Sequence, residues 1–257
     1  MNTDAIRARA EAWTREPYEQ DTRTAVRSML DNPDPTDLLE AFHQDLEFGT
    51  GGMRGLMGPG TNRMNVAVVA MATQGLADYL SEKHSGEIAV AIAHDSRHRS
   101  DLFTRVAAEV LAGNGMTAHV FESLRPTPEL SFAIRQLGCQ AGIVVTASHN
   151  PKEYNGYKVY WGDGGQIVPP HDKGIIARVR AVDGLQSVKQ SEAGDPLIKT
   201  IGPEMDRDYY ATIASHRLDV ELIAEGSDLS VVYSPLHGTG TVSMAPALEA
   251  CGFRNVE

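Results

Sequence analysis

One short polar stretch contains the residues of this chain that are best suited to chemistry. It reads Thr-Ala-Ser-His-Asn-Pro over residues 146–151 and directly follows an apolar run that is typical of a buried strand. The Ser148 hydroxyl is of the type that accepts a phosphoryl group or attacks an acyl carbon, and His149 stands beside it. Taken alone, a Ser-His pair favours a polar loop, because the side chains of adjacent residues rarely point toward each other. The Gly-x-Ser-x-Gly turn of serine hydrolases is absent around Ser148, so the pattern argues against a hydrolase triad.

Three further stretches have residue types that suit anions. Residues 48–55 are rich in glycine, which lets backbone N–H groups turn toward an anion, and Arg54 offers a planar fork that fits phosphate oxygens. Asp95 and Arg97 lie at the end of a predicted strand, where they are able to pair with each other. Residues 233–240 form a predicted strand-to-helix turn whose N–H groups are able to face an anion. Each stretch by itself is more typical of a structural turn than of a site.

Composition and charge narrow the class of protein. The chain has 257 residues, of which 42% are hydrophobic and 22% are charged, as in ordinary globular proteins. Its net charge of -11 argues against a nucleic-acid partner. No apolar run approaches the length of a membrane span, residues 1–15 do not resemble a secretory signal, and only two cysteines occur. We therefore expect a cytoplasmic protein, whose oligomeric state the sequence does not determine.

The elements that must position these residues alternate along the chain. The pattern predicts helices over 65–83, 101–113 and 128–137, and strands over 87–93, 117–121 and 142–146. This alternation predicts an α/β fold with a mostly parallel, mixed sheet sandwiched by helices. A long connection over 147–170, with one short strand at 157–160, follows the last of these strands and contains the Ser148 stretch.

Three regions are predicted along the chain. Residues 1–45 form an N-terminal helical extension, 46–202 form the main α/β domain, and 203–257 form the start of a similar second domain. The polar stretch 183–202 is predicted as an interdomain linker, and the second domain opens with a helix over 205–223. Because about 55 residues are too few to close such a core, we expect the chain to be truncated within its second domain.

The Ser148 stretch resembles the phosphoserine loop of the α-D-phosphohexomutase superfamily. The residues that follow, Lys-Glu-Tyr-Asn-Gly-Tyr-Lys over 152–158 and Gly-Asp-Gly-Gly-Gln-Ile-Val-Pro-Pro over 162–170, are similar to the phosphoglucomutase-2/phosphopentomutase branch. Residues 48–55 resemble the superfamily's Gly-Thr-x-Gly-x-Arg-Gly element, and 94–97 resemble its Gly-x-Asp-x-Arg turn, with His94 before Asp95. The resemblance covers essentially the whole chain as the family's first domain and the opening of its second.

The resemblance implies a role for each of five catalytic or phosphate-binding residues. Ser148 would carry the transferable phosphate, with His149 and Asn150 beside it in the loop. Arg54 would face that phosphate, and Lys158 would act as an acid/base or neutralise charge. A phosphoserine carries about -1.5 to -2 charges at neutral pH, so cations beside it are physically required for transfer to another anion.

The resemblance also implies supporting residues and a metal ion. Asp95 and Arg97 would support the phosphoserine loop. Mg²⁺ would bind through the phosphate on Ser148, but the family's Asp-Gly-Asp-x-Asp-Arg loop, which supplies the remaining ligands, does not occur in this chain. Asp206 and Asp208 do not replace it, since carboxylates two residues apart diverge on a predicted helix.

The implied function is a phosphoglucomutase-like transfer that interconverts glucose 1-phosphate and glucose 6-phosphate through glucose 1,6-bisphosphate. Sugar phosphates are thus the implied ligands. A phosphopentomutase or phosphomannomutase of the same superfamily is an alternative, because the sugar-selecting loop does not occur in this chain. Two further alternatives are a catalytically inactive domain fragment and a serine hydrolase.

Overall fold

A computed structural model describes residues 2–49 and 51–257 of the chain. Within these residues, the helices are α1 (Thr3–Ala12), α2 (Gln20–Asp31), α3 (Thr36–Phe42), α4 (Val66–Lys83), α5 (Ser100–Gly113), α6 (Thr127–Gln136), α7 (His171–Ala181), α8 (Pro203–Ser215), α9 (Val220–Glu225) and α10 (Gly240–Cys251). The strands are β1 (Phe48–Gly49), β2 (Gly52–Leu56), β3 (Ala89–His94), β4 (Thr117–Phe121), β5 (Ala141–Val145), β6 (Tyr154–Trp161), β7 (Ile198–Ile201), β8 (Ser230–Val231) and β9 (Asn255–Val256). No helix in the described ranges combines the length and the apolar character needed to cross a bilayer.

A mixed seven-stranded sheet forms the centre of the fold. Its strand order is β1-β2-β6-β5-β3-β4-β7. The pairs β5-β3, β3-β4 and β4-β7 are parallel, whereas β6 and the β1-β2 hairpin join antiparallel on the other side of β5. The predicted α/β fold with a mostly parallel, mixed sheet is therefore confirmed.

Helices cover both faces of this sheet, as the alternation of buried residues in β3 shows. Val90 and Ile92 point into the larger core, which contains side chains of α4, α5 and α7. Ala91 and Ala93 point into a second core with side chains of α6 and of α8. A strand that is buried on both sides reads as a continuous apolar run, which explains why β3 was readily predicted.

The N-terminal helices α1, α2 and α3 pack onto the larger core. Trp13 stacks on Tyr18 with ring centroids 4.4 Å apart and meets the edge of Phe42 at 5.6 Å. The predicted helical character of residues 1–45 is confirmed for these three elements, whereas the domain boundary at residue 45 stays a prediction.

Two segments form strands where the sequence predicted irregular chain. The glycine-rich stretch 48–55 forms most of the β1-β2 hairpin, because its glycines permit the close approach of β2 to β6. The predicted linker 183–202 contains β7, which pairs in parallel with β4, so the linker prediction is wrong for those residues. Both segments owe their strand conformation to pairing partners that are distant in sequence. Their own residues show only a weak strand pattern.

The predicted second domain, residues 203–257, begins with more helices than the sequence indicated. The helix expected over 205–223 is two helices, α8 and α9, with a short break between them. Asp219 begins α9 by accepting a hydrogen bond from the Leu222 N–H at 2.8 Å, which is the geometry of an N-terminal cap. The capping residue therefore starts a new helix inside the predicted one.

Gly156 is expected to tolerate no side chain, because it lies in β6 between two backbones. A Cβ atom there would come 2.5 Å from the Thr146 carbonyl oxygen and 3.0 Å from that of Met53. We expect Gly156→Ala to lower the free energy of unfolding by about 1–3 kcal/mol, as overpacking does elsewhere. Urea unfolding measures this, with Gly226→Ala as the control, because a Cβ at Gly226 has its nearest contact at 3.4 Å. Equal midpoints for the two variants would contradict the expectation.

Candidate functional site

The Ser148 loop begins at the carboxyl end of β5, in the middle of the sheet. Ser148 has a positive φ of 58°, a left-handed conformation that costs a residue with a side chain about 1–2 kcal/mol. Its N–H donates to Thr146 Oγ1 at 2.9 Å, and its side chain is exposed. Ser148 Oγ lies 3.2 Å from His149 Nδ1. The expectation that these adjacent side chains diverge is thus wrong, because the left-handed backbone turns them to the same side.

Arg97 holds the backbone of this loop. Its Nη2 donates to the carbonyl oxygens of Ser148 at 2.8 Å and Asn150 at 2.6 Å. Its Nη1 donates to those of Pro151 at 2.8 Å and Tyr154 at 3.1 Å. A single guanidinium therefore fixes both ends of the turn that presents Ser148, using the planar set of donors that only arginine has.

Asp95 in turn holds Arg97. Its carboxylate lies 3.2 Å from Arg97 Nε, and its Oδ1 accepts hydrogen bonds from the Arg97 N–H at 3.0 Å and the Ser100 hydroxyl at 2.7 Å. Ser100 also accepts a hydrogen bond from the buried Asn155 amide at 3.0 Å. These contacts are those of a supporting pair, and the contribution of Asp95 and Arg97 to function stays a prediction.

A cleft of about 870 Å³ opens above Ser148. The side chains and turns that line it come from the loops after β3 and β5 and from residues 235–239 before α10. The Ser96 hydroxyl donates to the His237 carbonyl oxygen at 2.6 Å, which joins the two sides of the cleft. The turn over 233–240, which the sequence indicated as structural, therefore also lines the cleft.

Arg54 and Lys158 lie next to this cleft, in an adjoining cavity of about 500 Å³. Arg54 pairs with Gly156 and Lys158 pairs with Gly52 across β2 and β6, so both cations share one face of the sheet. Thr146 lines both cavities. The glycines beside the cations leave that face of the sheet open.

One hydrogen bond links the two cavities directly. Arg54 Nη1 donates to Asn150 Oδ1 at 3.0 Å, which connects β2 to the Ser148 loop. The structure thus brings Ser148, His149 and Asn150 together in one loop with Arg54 in contact. Lys158 lies in the adjoining cavity, and its predicted role as an acid/base or charge neutraliser stays a prediction.

A buried charged cluster beside the cleft was not predicted. Arg125 also lines the cleft, and its side chain is only 4% exposed. It donates from Nε and Nη2 to the two carboxylate oxygens of Asp206 in α8, at 2.8 and 2.7 Å. Glu129 in α6 is fully buried 3.8 Å from Arg125 Nε, and its Oε2 accepts a hydrogen bond from the Ser243 hydroxyl at 3.2 Å. The only sequence signal was an arginine shortly after a predicted strand.

Burial, together with the neighbouring Asp206 carboxylate, raises the pKa of Glu129 to about 8, although the charge of Arg125 opposes the shift. Tyr209 and Tyr210 face the same carboxyl, and burial raises their pKa values too. The Glu129 carboxyl is therefore neutral at neutral pH.

Glu129→Gln is expected to stabilise the protein against alkali. The folded state favours neutral Glu129, so this stabilising effect is complete below the ordinary pKa of 4.5 and is lost as the pH rises through about 8. Glutamine keeps an oxygen that accepts the hydrogen bond from Ser243 and carries no charge. The free energy of unfolding of the variant should rise relative to the parent by about 3–4 kcal/mol between pH 5 and pH 8. Glu204→Gln, an exposed change on α8, is the control, and an equal pH profile for all three proteins would contradict the expectation.

The residues present do not by themselves form a Mg²⁺ site. Across residues 2–49 and 51–257, no group of three or more His, Cys, Asp or Glu side chains is placed to hold a metal ion. Asp95, which lines the cleft with Ser148, is already paired with Arg97. Asp206, which the sequence analysis rejected as a metal ligand, is bound to Arg125 instead.

Known proteins are similar to this chain over nearly its full length. A probable phosphoribomutase of Schizosaccharomyces pombe is 35% identical over 93% of the chain and 42% of its own length. A phosphoglucomutase of Staphylococcus haemolyticus is 32% identical over 93% of the chain and 43% of its own length. The crystal structure of a protein from Thermus thermophilus, described as a phosphomannomutase, superimposes with a TM-score of 0.67 at 29% identity, over 83% of this chain and 45% of the other.

The chain thus spans about two fifths of the length of the curated relatives that it matches. The sequence profile described as "Phosphoglucomutase/phosphomannomutase, alpha/beta/alpha domain I" matches residues 45–185. This range contains the Ser148 loop, both supporting residues and the strands that hold Arg54 and Lys158. The chain belongs to the phosphoglucomutase/phosphomannomutase family of the α-D-phosphohexomutase superfamily, and it corresponds to the N-terminal portion of its relatives.

Proposed function

We propose that the protein is a sugar-phosphate mutase in which Ser148 carries the phosphoryl group that is transferred. One observation carries this proposal: the Ser148 hydroxyl is exposed in a cleft and held in a left-handed turn, 3.2 Å from His149 Nδ1. A non-glycine residue in that conformation costs free energy, and the four hydrogen bonds from Arg97 to the loop offset the cost. Such an arrangement suits a nucleophile that must face a ligand.

The proposed transfer proceeds between Ser148 and a hydroxyl of the sugar phosphate. The sugar hydroxyl oxygen forms a bond to phosphorus, the bond between phosphorus and Ser148 Oγ breaks, and the hydroxyl proton passes to Ser148 Oγ. The product is a sugar bisphosphate. In the second half of the cycle Ser148 Oγ forms a bond to the phosphorus of the other phosphoryl group, the bond between that phosphorus and the sugar oxygen breaks, and the Ser148 hydroxyl proton passes to this oxygen. These changes regenerate phosphoserine and release the isomeric monophosphate. His149 Nδ1 lies within reach of the proton at Oγ.

The cations of the site balance the negative charge of the phosphoryl group that is transferred. Phosphoserine and a sugar phosphate are both anions, so their approach is unfavourable without neighbouring positive charge. Arg54 contacts the Ser148 loop through Asn150, and Lys158 shares its face of the sheet. We assign Arg54 to phosphate binding and Lys158 to charge neutralisation or proton transfer.

Mg²⁺ supplies charge neutralisation in phosphoryl transfer, and it prefers oxygen ligands. In this chain the Ser148 phosphate would supply one ligand position. The carboxylates of Asp95 and Asp206 beside the cleft are each paired with an arginine.

The substrate we propose is glucose 1-phosphate, converted to glucose 6-phosphate through glucose 1,6-bisphosphate. A phosphopentomutase acting on ribose phosphates is the alternative, supported by the similarity to a phosphoribomutase. A phosphomannomutase is a further alternative, supported by the similarity to the Thermus thermophilus structure.

Comparing the kcat/KM values of three sugar phosphates tests this proposal, with the protein in its native form. We expect isomerisation of glucose 1-phosphate, in the presence of traces of glucose 1,6-bisphosphate, with a higher kcat/KM than for ribose 1-phosphate or mannose 1-phosphate. A preference for one of the other two sugars would overturn the choice of glucose. Isomerisation of none of the three would overturn the mutase. The same assay on residues 1–257 alone tests the alternative of a catalytically inactive fragment.

A serine hydrolase is less well supported by the geometry. A triad requires a carboxylate that orients the histidine. In the part of the chain that the structure describes, no hydrogen bond joins His149 to a carboxylate, and Asp95 is held by Arg97. Labelling of Ser148 by a fluorophosphonate would be the result that favours the hydrolase.

A further inference from the structure

The Ser148 cleft has walls from two parts of the chain. One wall comes from loops of the seven-stranded sheet, and the other is the turn over residues 235–239, which directly precedes α10. Among the residues that the structure describes, one hydrogen bond joins the two walls directly, from the Ser96 hydroxyl to the His237 carbonyl oxygen. The position of the turn relative to Ser148 therefore depends on how α10, and α8 against which α10 packs, are held on the sheet.

Helix α8 is held on the sheet at its first turn. Met205 is 7% exposed and packs in the second core with Phe121 and Leu130. The next residue, Asp206, receives both donors of the Arg125 fork, at 2.8 and 2.7 Å. An apolar contact allows sliding, whereas a bidentate arginine-carboxylate pair fixes both distance and orientation. The pair thus sets the register of α8 on the sheet.

Helix α10 is connected to the same cluster by two further contacts. Glu129 of α6 accepts a hydrogen bond from Ser243 of α10 at 3.2 Å. Tyr210 of α8 donates to the Val242 carbonyl oxygen of α10 at 3.5 Å. Both contacts lie within the first turn of α10, next to residues 235–239. Movement at Asp206 would therefore be transmitted to the turn above Ser148.

We propose that Arg125 is a positioning residue of the Ser148 cleft: by holding Asp206 it fixes α8 and α10, and thereby keeps residues 235–239 over Ser148. Arg125 is suited to this because it lies beside the cleft, at the carboxyl end of β4, and is itself held by the Ser123 hydroxyl at 2.6 Å and the Leu124 carbonyl oxygen at 2.9 Å. The catalytic consequence rests on the proposed transfer at Ser148, whereas the structural consequence does not.

A purely stabilising role for Arg125 makes a different prediction. Removing one partner of a buried ion pair leaves an uncompensated charge, which destabilises a protein whatever the pair positions. Removing both partners with apolar residues eliminates that charge. Arg125→Met combined with Asp206→Leu should therefore recover global stability. If the pair positions the turn, the double variant regains stability but leaves residues 235–239 loose.

Hydrogen exchange measured by mass spectrometry on the full chain tests the structural part. We expect Arg125→Met, Arg125→Lys and the double variant each to speed exchange in residues 234–243 by about tenfold or more, and the double variant to do so with β5 unchanged. Arg125→Lys belongs to this group because a single ammonium does not reproduce the bidentate fork. Arg207→Met is the matched control, since Arg207 follows Asp206 on α8 but forms an exposed pair with Glu204.

Two results would overturn the positioning role. One is wild-type exchange in residues 234–243 in the double variant. The other is faster exchange that extends equally through β5, which would indicate general destabilisation.

A kinetic measurement tests the catalytic part separately. Phosphorylation of Ser148 by glucose 1,6-bisphosphate should show a KM about tenfold higher in the double variant, with a limiting rate close to that of the parent, because the reacting groups are unchanged. An unchanged KM together with a loose turn would overturn the catalytic consequence. If the parent itself shows no phosphorylation, the proposed function fails, and the exchange experiment still decides whether Arg125 positions the turn.

Discussion

Replacement of Ser148 with alanine is expected to abolish phosphoryl transfer. The hydroxyl oxygen is the atom that would form and break the bond to phosphorus, and its loss leaves binding intact but removes the acceptor. Removing a nucleophile costs about 10³-fold or more in rate. Incubation with glucose 1,6-bisphosphate, followed by mass measurement of the peptide that contains residue 148, reports this directly. We expect a phosphorylated peptide in the parent and none in Ser148→Ala.

Ser187→Ala is the matched control for this measurement. Ser187 lies in the short 3-10 helix Leu185–Ser187, where its hydroxyl donates to the Gly184 carbonyl oxygen, outside both cavities. The Ser187→Ala variant should become phosphorylated at Ser148 to the same extent as the parent. Phosphate at another position in Ser148→Ala, or turnover of sugar phosphate that persists in that variant, would be incompatible with Ser148 as the carrier.

Replacement of Arg97 with methionine is expected to release the Ser148 loop. The guanidinium donates to four backbone carbonyl oxygens of that loop and pairs with Asp95, and both charges are largely buried. Methionine leaves Asp95 without its partner, so we expect a loss of about 2–4 kcal/mol in the free energy of unfolding. Displacement of Ser148 by about 1 Å should lower the rate of phosphorylation by about 10²-fold.

Urea unfolding and the phosphorylation assay together measure these two effects. Arg97→Lys should restore little of the stability or of the phosphorylation rate, because one ammonium cannot donate to four carbonyl oxygens in a planar arrangement. Arg105→Met, a change on the exposed side of α5, serves as the control. If Arg97→Lys phosphorylates Ser148 at the parental rate, charge near the loop is sufficient and the planar hydrogen-bonding role is wrong.

Much of the central fold was predictable from local pattern. The strand predicted over 142–146 is Ala141–Val145, and the helix predicted over 65–83 is Val66–Lys83 with Asn65 as its N-terminal cap. These elements are long or continuously apolar, and clear capping or turn signals delimit them. The Ser148 loop was predicted for the same reason, since an abrupt change from apolar to polar residues marks the carboxyl end of a buried strand.

The parts that were not predicted depend on partners far away in sequence. Strand β7 exists because β4 offers a free edge, and strand β2 exists because β6 has glycine opposite Arg54. Arg125 and Asp206 are 81 residues apart, and nothing in either local segment indicates the other.

Local sequence pattern was sufficient to predict the class of fold, the order of most central elements and the loop that carries Ser148, because apolar periodicity and turn chemistry act over a few residues. The tertiary structure alone decided that Arg97 holds the loop backbone, that Arg54 reaches Asn150, and that a turn near the end of the chain covers the cleft. Such contacts depend on the closing of the sheet, which brings together side chains whose separation along the chain gives no local signal. The left-handed backbone of Ser148 belongs to this second group, since a serine adopts it only where surrounding hydrogen bonds offset its cost.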